Sequence, residues 1–156
     1  MTIDQLQEQA AAVSRGQFVA EHPYPFLLVH GVVAASVLPF STTVGSLSDM
    51  DRAPPEIFAV QKSGTNPYSA RISLGRARNC DIVLRDASTS KLHAHFVFDD
   101  KGQVQLVDQG SRNGTTVNGR RVSAPVFLAS SDKIVFGSVV AEFLNAQALY
   151  QMLVEF

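Results

Sequence analysis

The sequence contains only one cysteine, Cys80. A single thiol cannot form an intramolecular disulfide, so a fold stabilised by disulfides within the chain is excluded. The chain also does not open with a basic stretch followed by an apolar run and a cleavage site of small residues, as a signal peptide would. These two absences lead us to expect a reducing, cytoplasmic setting.

Long hydrophobic runs are missing as well. The longest apolar stretch, residues 26 to 40, spans 15 positions and is interrupted by His30, Gly31 and Pro39. A membrane-spanning helix needs about 20 consecutive apolar residues. We therefore expect this stretch to be buried protein, and we expect no membrane partner.

The chain has no large excess of charge of either sign. A net charge of -1 gives no signal for binding to nucleic acid or to an anionic membrane, both of which favour strongly basic chains. The charge is nevertheless uneven. Residues 1 to 51 contain one base and five acids, a net charge of -4, which leaves +3 for the remainder.

The composition suits one domain. With 156 residues, 46% of them hydrophobic, the chain can bury one sizeable core. Residues 1 to 52 are predicted to form an N-terminal helix, an apolar extension and a linker. The helix is indicated by apolar residues every three to four positions and by the capping-box pair Thr2 and Gln5, and it is expected to fade near residues 14 to 16. Residues 26–29 and 32–38, on either side of His30 and Gly31, are predicted to form a short hairpin or two added strands.

From residue 53 to residue 144 the pattern predicts a β-sandwich. Short segments rich in strand-forming residues are separated by turns about every ten positions, which is typical of antiparallel sandwiches. Residues 145 to 156 are predicted to form a C-terminal helix, capped by Asn145, that packs on the sandwich. We predict strands at residues 56–61, 69–74, 81–84, 93–98, 103–108, 115–117, 120–122, 126–128, 133–136 and 139–144.

Three turn-forming segments of the sandwich carry most of its polar chemistry. They are Leu74-Gly75-Arg76, Ser90-Lys91-Leu92-His93 and Ser111-Arg112-Asn113-Gly114-Thr115. Together they supply a guanidinium, an ammonium, hydroxyls and an amide. A phosphorylated threonine carries about -1.5 to -2 charges near neutral pH and three acceptor oxygens, so its site needs several donors and a permanent cation. Arginine meets that need, because its planar guanidinium holds two oxygens and stays charged.

The order and spacing of these segments resemble the forkhead-associated (FHA) family of phosphothreonine readers. The resemblance covers residues 56 to 144 and implies an FHA-like sandwich of about 10 to 11 antiparallel strands in two twisted sheets, with flanking helices. It implies a non-catalytic module that binds phosphothreonine peptides and recruits protein partners phosphorylated by a Ser/Thr kinase. No cofactor, metal, nucleic acid or small-molecule substrate is expected.

The resemblance also implies roles for particular residues. The Ser90 hydroxyl donates to the phosphate, Asn113 binds the peptide backbone beside it, and His93 braces the loop that carries Ser90. The expected phosphopeptide contacts are Arg76, Ser90, Lys91, Arg112 and Asn113, with Arg78 and Ser111 as weaker candidates. The expected structural support consists of Gly75, His93, Gly114 and Thr115.

Three other hypotheses remain open. The chain could be a phosphate-independent interaction scaffold. Hydrolysis by Ser90 and His93 is disfavoured, since no orienting acid, oxyanion hole or nucleophile motif accompanies the pair. The acidic N-terminal segment could fold over the basic loops and inhibit them.

Arg120 and Arg121 are interpreted as the solvated start of a strand.

Overall fold

The computed structural model describes residues 2–32, 55–62 and 71–155. Within these ranges the chain forms helices α1 (Ile3–Ala12), α2 (Arg15–Glu21) and α3 (Ala146–Glu155). The strands are β1 (Phe26–Val32), β2 (Glu56–Ala59), β3 (Ile72–Gly75), β4 (Ile82–Val83), β5 (Ala94–Phe98), β6 (Val104–Asp108), β7 (Thr115–Val117), β8 (Arg120–Arg121), β9 (Val126–Leu128), β10 (Lys133–Phe136) and β11 (Val139–Leu144).

The strands form two sheets, which confirms the predicted sandwich with flanking helices. One sheet has the order β2-β1-β11-β10-β7-β8 and the other has the order β4-β3-β5-β6-β9. One pair departs from the antiparallel prediction: β4 runs parallel to β3, with Leu74 opposite Ile82. The pairing involves only two residues of each strand, so the short loop of residues 76–81 suffices to bring the chain back alongside β3.

The strand β1 separates two apolar clusters because its side chains alternate between the two faces of the sheet. Leu27 faces the space between the sheets, which is filled by residues such as Phe96 and Phe136. Phe26 and Leu28 face the opposite side, where the three helices cover the six-stranded sheet. This second cluster includes Leu6, Phe18, Leu144, Leu149 and Leu153, all buried.

The N-terminal segment differs from the prediction in two respects. A second helix, α2, forms where the first was expected to fade, because the Ser14 hydroxyl accepts a hydrogen bond from the backbone of Gln17 at 3.3 Å and caps a new helix. β1 continues through residues 30 and 31, where the prediction of a hairpin or of two added strands requires a break, and its register shifts between Val29 and Gly31. The remainder of that prediction, residues 33–38, and most of the predicted linker lie outside the described residues.

Two predicted helix caps and one predicted turn are confirmed. Thr2 and Gln5 form the predicted capping box, and the Asn145 side chain accepts a hydrogen bond from the backbone of Ala148 at 2.7 Å. Asn118 and Gly119 both have positive φ, 51° and 84°, in the turn between β7 and β8. That conformation is what a two-residue hairpin turn requires.

The acidic N-terminal segment contributes to the core as far as the structure describes it. β1 lies between β2 and β11, and α1 and α2 pack against α3. The predicted division between residues 52 and 53 stays a prediction. Among the described residues, no helix is both long enough and apolar enough to cross a membrane.

Candidate functional site

The loops after β3 and β4 are joined by backbone hydrogen bonds. We call residues 76–81 the β3–β4 loop, residues 84–93 the β4–β5 loop and residues 109–114 the β6–β7 loop. The Arg76 nitrogen donates to the Ser90 carbonyl at 3.0 Å, and the Ala77 nitrogen donates to the Lys91 carbonyl at 3.1 Å. Gly75 permits this approach, since a Cβ atom there would lie only 2.3 Å from the Lys91 carbonyl oxygen.

The Arg76 side chain is anchored at one atom and free at its end. Its Nε donates to the Thr89 carbonyl at 3.1 Å. The residue is exposed, and no carboxylate of the described residues forms an ion pair with it. The tether limits the rotamers of a long side chain, which reduces the entropy lost when the two terminal nitrogens bind a ligand.

The β6–β7 loop contacts the β4–β5 loop through two further hydrogen bonds. The Arg112 nitrogen donates to the Ser90 hydroxyl oxygen at 3.0 Å, which leaves the hydroxyl hydrogen of Ser90 available to an acceptor. The Asn113 side-chain nitrogen donates to the Ser88 carbonyl at 2.8 Å. The Asn113 amide was expected to bind the peptide, and one of its two N–H donors is thus used within the protein. The exposed side chain retains its second N–H and its oxygen for a ligand.

His93 is fully buried and connects two loops. Its Nδ1 accepts a hydrogen bond from the Ser90 nitrogen at 3.0 Å, and its Nε2 lies 3.0 Å from the Gly114 carbonyl oxygen. These partners require a neutral ring with the proton on Nε2. Burial lowers the pKa of His93 and outweighs the opposing effects of the Gly114 carbonyl and the charge of Asp108.

Asp108 stabilises the base of the β6–β7 loop and was not among the residues predicted for the site. Its carboxylate accepts hydrogen bonds from the Ser111 hydroxyl and the Thr115 hydroxyl, both at 2.6 Å, and from the Ser111 nitrogen at 2.8 Å. Burial alone would raise its pKa, but these donors lower the pKa overall. Ser111 therefore faces inward, and it also accepts from the Gly114 nitrogen at 3.0 Å. An acid three positions before a serine at a strand end was the available signal.

Ser88 was also missed. Its carbonyl accepts from Asn113, and its hydroxyl oxygen accepts from the Ser138 nitrogen at 2.9 Å. Gly137 makes room for it, since a Cβ atom there would lie 2.4 Å from the Ser88 carbonyl oxygen. The glycine directly after β10 was the only hint in the sequence, and nothing in the sequence linked it to a serine 49 positions earlier.

The other predicted contacts lie at the surface of these loops. Arg78, Lys91 and Arg112 are exposed, and none forms an ion pair within the described parts of the chain. An unneutralised cluster of cations attracts an anionic ligand. Across residues 2–32, 55–62 and 71–155, no group of three or more His, Cys, Asp or Glu side chains is arranged to hold a metal ion.

The chain is similar to known proteins in sequence and in fold. The FHA domain family model matches residues 72–137. Glycogen accumulation regulator GarA of Mycolicibacterium smegmatis is 36% identical over 110 residues, covering 66% of this chain and 68% of that protein. The Mycobacterium tuberculosis protein of the same name is 30% identical over 151 residues, covering 92% and 84%.

A solved structure shows the same fold. The N-terminal FHA domain of Rad53p from Saccharomyces cerevisiae, determined in complex with a phosphothreonine peptide, superposes with a TM-score of 0.52 at 18% identity. The match covers 83% of this chain and 98% of that one. The family model, the length of the matches to the GarA proteins and the shared sandwich lead to one conclusion: this chain belongs to the forkhead-associated (FHA) domain family.

Proposed function

We propose that this protein binds phosphothreonine peptides at the rim formed by its β3–β4, β4–β5 and β6–β7 loops, and so recruits proteins phosphorylated by a Ser/Thr kinase. The observation that carries the proposal is the hydrogen bond from Arg76 Nε to the Thr89 carbonyl. It holds near Ser90 a guanidinium that has no ion-pair partner among the described residues. In the proposed complex the two terminal nitrogens of Arg76 bind phosphate oxygens. This is the planar two-point geometry that arginine provides and lysine does not.

The remaining contacts follow from the free atoms of the loops. The Ser90 hydroxyl hydrogen is directed to a phosphate oxygen, because its oxygen already accepts from Arg112. Lys91 and Arg112 add positive charge, and the free amide atoms of Asn113 bind the peptide backbone. Arg78 and Ser111 have smaller roles: Arg78 lies in the turn closed by the bond from the Cys80 nitrogen to the Ala77 carbonyl, and the Ser111 hydroxyl donates to Asp108. Gly75, Gly114 and Thr115 support the site.

The proposed role of His93 is to position Ser90. Both of its ring nitrogens are occupied by backbone groups, Ser90 N–H on one side and the Gly114 carbonyl on the other. A general base for a serine nucleophile needs a ring nitrogen within hydrogen-bonding reach of the hydroxyl. We infer that the protein is a non-catalytic binding module that acts in the cytoplasm.

The shared fold supports the proposal, since the Rad53p FHA domain was solved with a phosphothreonine peptide. Preference for threonine over serine would come from an apolar niche for the γ-methyl group. Burial of one methyl is worth about 1 kcal/mol, a roughly fivefold difference in affinity.

The test is a titration of the purified chain with a fluorescent phosphopeptide library, followed by the best peptide in phosphothreonine, phosphoserine and unmodified threonine forms. We expect measurable binding only for the phosphorylated forms, with phosphothreonine preferred. Equal binding of the unmodified peptide would contradict the proposal and favour a phosphate-independent scaffold. Capture of cellular partners before and after phosphatase treatment distinguishes the same two functions for whole proteins.

A further inference from the structure

The guanidinium of Arg121 lies flat against Gly114. A Cβ atom at Gly114 would be 3.2 Å from both Cζ and Nη2 of Arg121 and 3.4 Å from Nη1. Because these three atoms are almost equally distant from one point, the guanidinium presents its face to the glycine. The N–H groups of a guanidinium point outward in its plane. The contact with Gly114 covers one face and leaves these N–H groups free to bind a ligand.

The register of the β7–β8 hairpin determines this placement. Arg121 pairs with Thr116, and the Val122 nitrogen donates to the Thr115 carbonyl at 2.8 Å. Side chains of directly opposed residues share a face of the sheet, and so do residues two positions apart on one strand. Arg121 therefore lies on the same face of the hairpin as Thr116, and its guanidinium reaches Gly114 directly before β7, whereas Arg120, which pairs with Val117, lies on the other face.

No acid of the described chain satisfies Arg121. The residue is exposed, and none of the ion pairs in the described ranges includes it. Asp108, at the base of the same loop, accepts from Ser111 and Thr115 instead. Asp86, in the β4–β5 loop, accepts from the backbone and hydroxyl of Ser88. An exposed guanidinium with no ion-pair partner among the described residues thus lies against Gly114, the residue that follows Asn113.

We propose that Arg121 binds the carboxylate of an Asp or Glu side chain in the peptide, at a position flanking the phosphothreonine where the peptide crosses the β6–β7 loop. The inference rests on the proposed function, since it assumes that Asn113 contacts the peptide. Arginine and a carboxylate form two parallel hydrogen bonds in one plane. Stacking on Gly114 restricts the guanidinium beforehand, so less side-chain entropy is lost on binding.

The experiment compares phosphothreonine peptides with alanine flanks in which each of the three positions on either side carries Glu or Gln in turn. Affinities are measured for the parent chain, for Arg121→Gln and for Arg120→Gln. The control variant removes the same charge from the same hairpin but on its opposite face. The readout is the ratio of the Glu to the Gln affinity within each protein, which cancels any general loss of positive charge.

We expect one flanking position at which Glu binds the parent chain about three- to fivefold more tightly than Gln, the range of a well-formed exposed ion pair. The ratio should persist in Arg120→Gln and fall to about one in Arg121→Gln. A ratio near one at every position in the parent chain, or the same ratio in both variants, would overturn the role of Arg121 alone. Failure of the parent chain to bind any of the phosphopeptides would overturn the proposed function, and the role of Arg121 with it.

Discussion

The Nδ1 atom of His93 lies 3.0 Å from the backbone nitrogen of Ser90 and accepts its hydrogen bond. The same ring donates from Nε2 to the Gly114 carbonyl, so one buried imidazole joins two loops that are distant in sequence. Only the neutral ring can do both, because protonation of Nδ1 turns the acceptor into a donor facing another donor.

This relationship predicts a pH-dependent stability. The pKa of His93 is lowered below 6.5 in the folded protein by burial, so the unfolded chain binds the proton first as pH falls. The contribution of His93 to stability is complete above about pH 6.5 and declines as pH falls from there towards the folded pKa. We expect urea midpoints to decrease between pH 7.5 and pH 5.5.

The variant His93→Gln serves as the control for that experiment. The other three histidines are present in both proteins, so the difference between the two pH profiles belongs to His93. We expect the variant to be less stable at pH 7.5 by about 1 to 3 kcal/mol, the cost of leaving buried polar groups unpaired, and to show the shallower pH profile. Parallel profiles would contradict the proposed protonation state.

Arg76→Ala should abolish most phosphopeptide binding while the fold is retained. The lost partner is the charge of the ligand, and within the described protein the Arg76 side chain forms a hydrogen bond only with the Thr89 carbonyl. Charge-assisted hydrogen bonds are worth about 1.5 to 3 kcal/mol, so we expect at least a tenfold loss of affinity. Arg76→Lys should have an intermediate phosphopeptide affinity, because it keeps the positive charge but loses the two parallel hydrogen bonds of a planar guanidinium.

The matched control is Lys101→Ala, which removes one exposed positive charge from the distant turn between β5 and β6. Its affinity should stay close to that of the parent chain. Thermal unfolding of all three variants checks that each remains folded. Unchanged binding by a folded Arg76→Ala protein would count decisively against the site.

Gly75→Ala should destabilise the protein by about 1 to 3 kcal/mol. The new methyl would lie 2.3 Å from the Lys91 carbonyl oxygen and 3.0 Å from that of Ser90, and both are backbone atoms that move only with the loop. Forced overpacking typically has a cost of this size. Phosphopeptide affinity should fall too, since the displaced segment carries Ser90.

A second glycine provides the comparison. Gly16 lies in α2, and a Cβ atom there would meet nothing within 4 Å. Gly16→Ala should therefore stabilise the protein by about 0.5 to 1 kcal/mol through helix propensity. Denaturant midpoints of the two variants should move in opposite directions, and a shift of Gly75→Ala towards greater stability would show that the two loops are not in close contact.

Thr89→Val and Thr115→Val should also have opposite effects. Both threonines are 1% exposed. The Thr89 hydroxyl has no hydrogen-bond partner in the described structure, whereas the Thr115 hydroxyl donates to Asp108 at 2.6 Å. Replacing an unpaired buried hydroxyl by a methyl removes a desolvation cost, whereas replacing a paired one leaves an acceptor unsatisfied.

We expect urea unfolding to show Thr89→Val more stable by about 1 kcal/mol and Thr115→Val less stable by about 1 to 2 kcal/mol. Thr89→Val should keep its phosphopeptide affinity, because Arg76 is tethered to the backbone carbonyl and not to the side chain. A loss of stability in Thr89→Val would mean that its hydroxyl is satisfied after all.

The parts of the fold that depend on local interactions could be predicted from the sequence. The capping box of Thr2 and Gln5, the cap at Asn145 and the Asn118-Gly119 turn all involve residues within three positions of each other. Strand positions followed from short strand-forming segments separated by turns about every ten residues, and the family resemblance indicated the three loops. The sequence also contains the capping residue of α2, Ser14, but Gly16 two positions later indicated the end of a helix instead of the start of one.

The arrangement of the site required the tertiary structure. The bonds from Arg112 to Ser90 and from Asn113 to Ser88 span 22 and 25 positions, and they exist only because strands β5 and β6 bring the loops to one edge. The stacking of Arg121 on Gly114 depends on hairpin register, where a slip of one residue would present Arg120 instead. Sequence patterns determine which side chains can bind an anion. The pairing of distant strands determines which of those side chains lie close enough together to form one site.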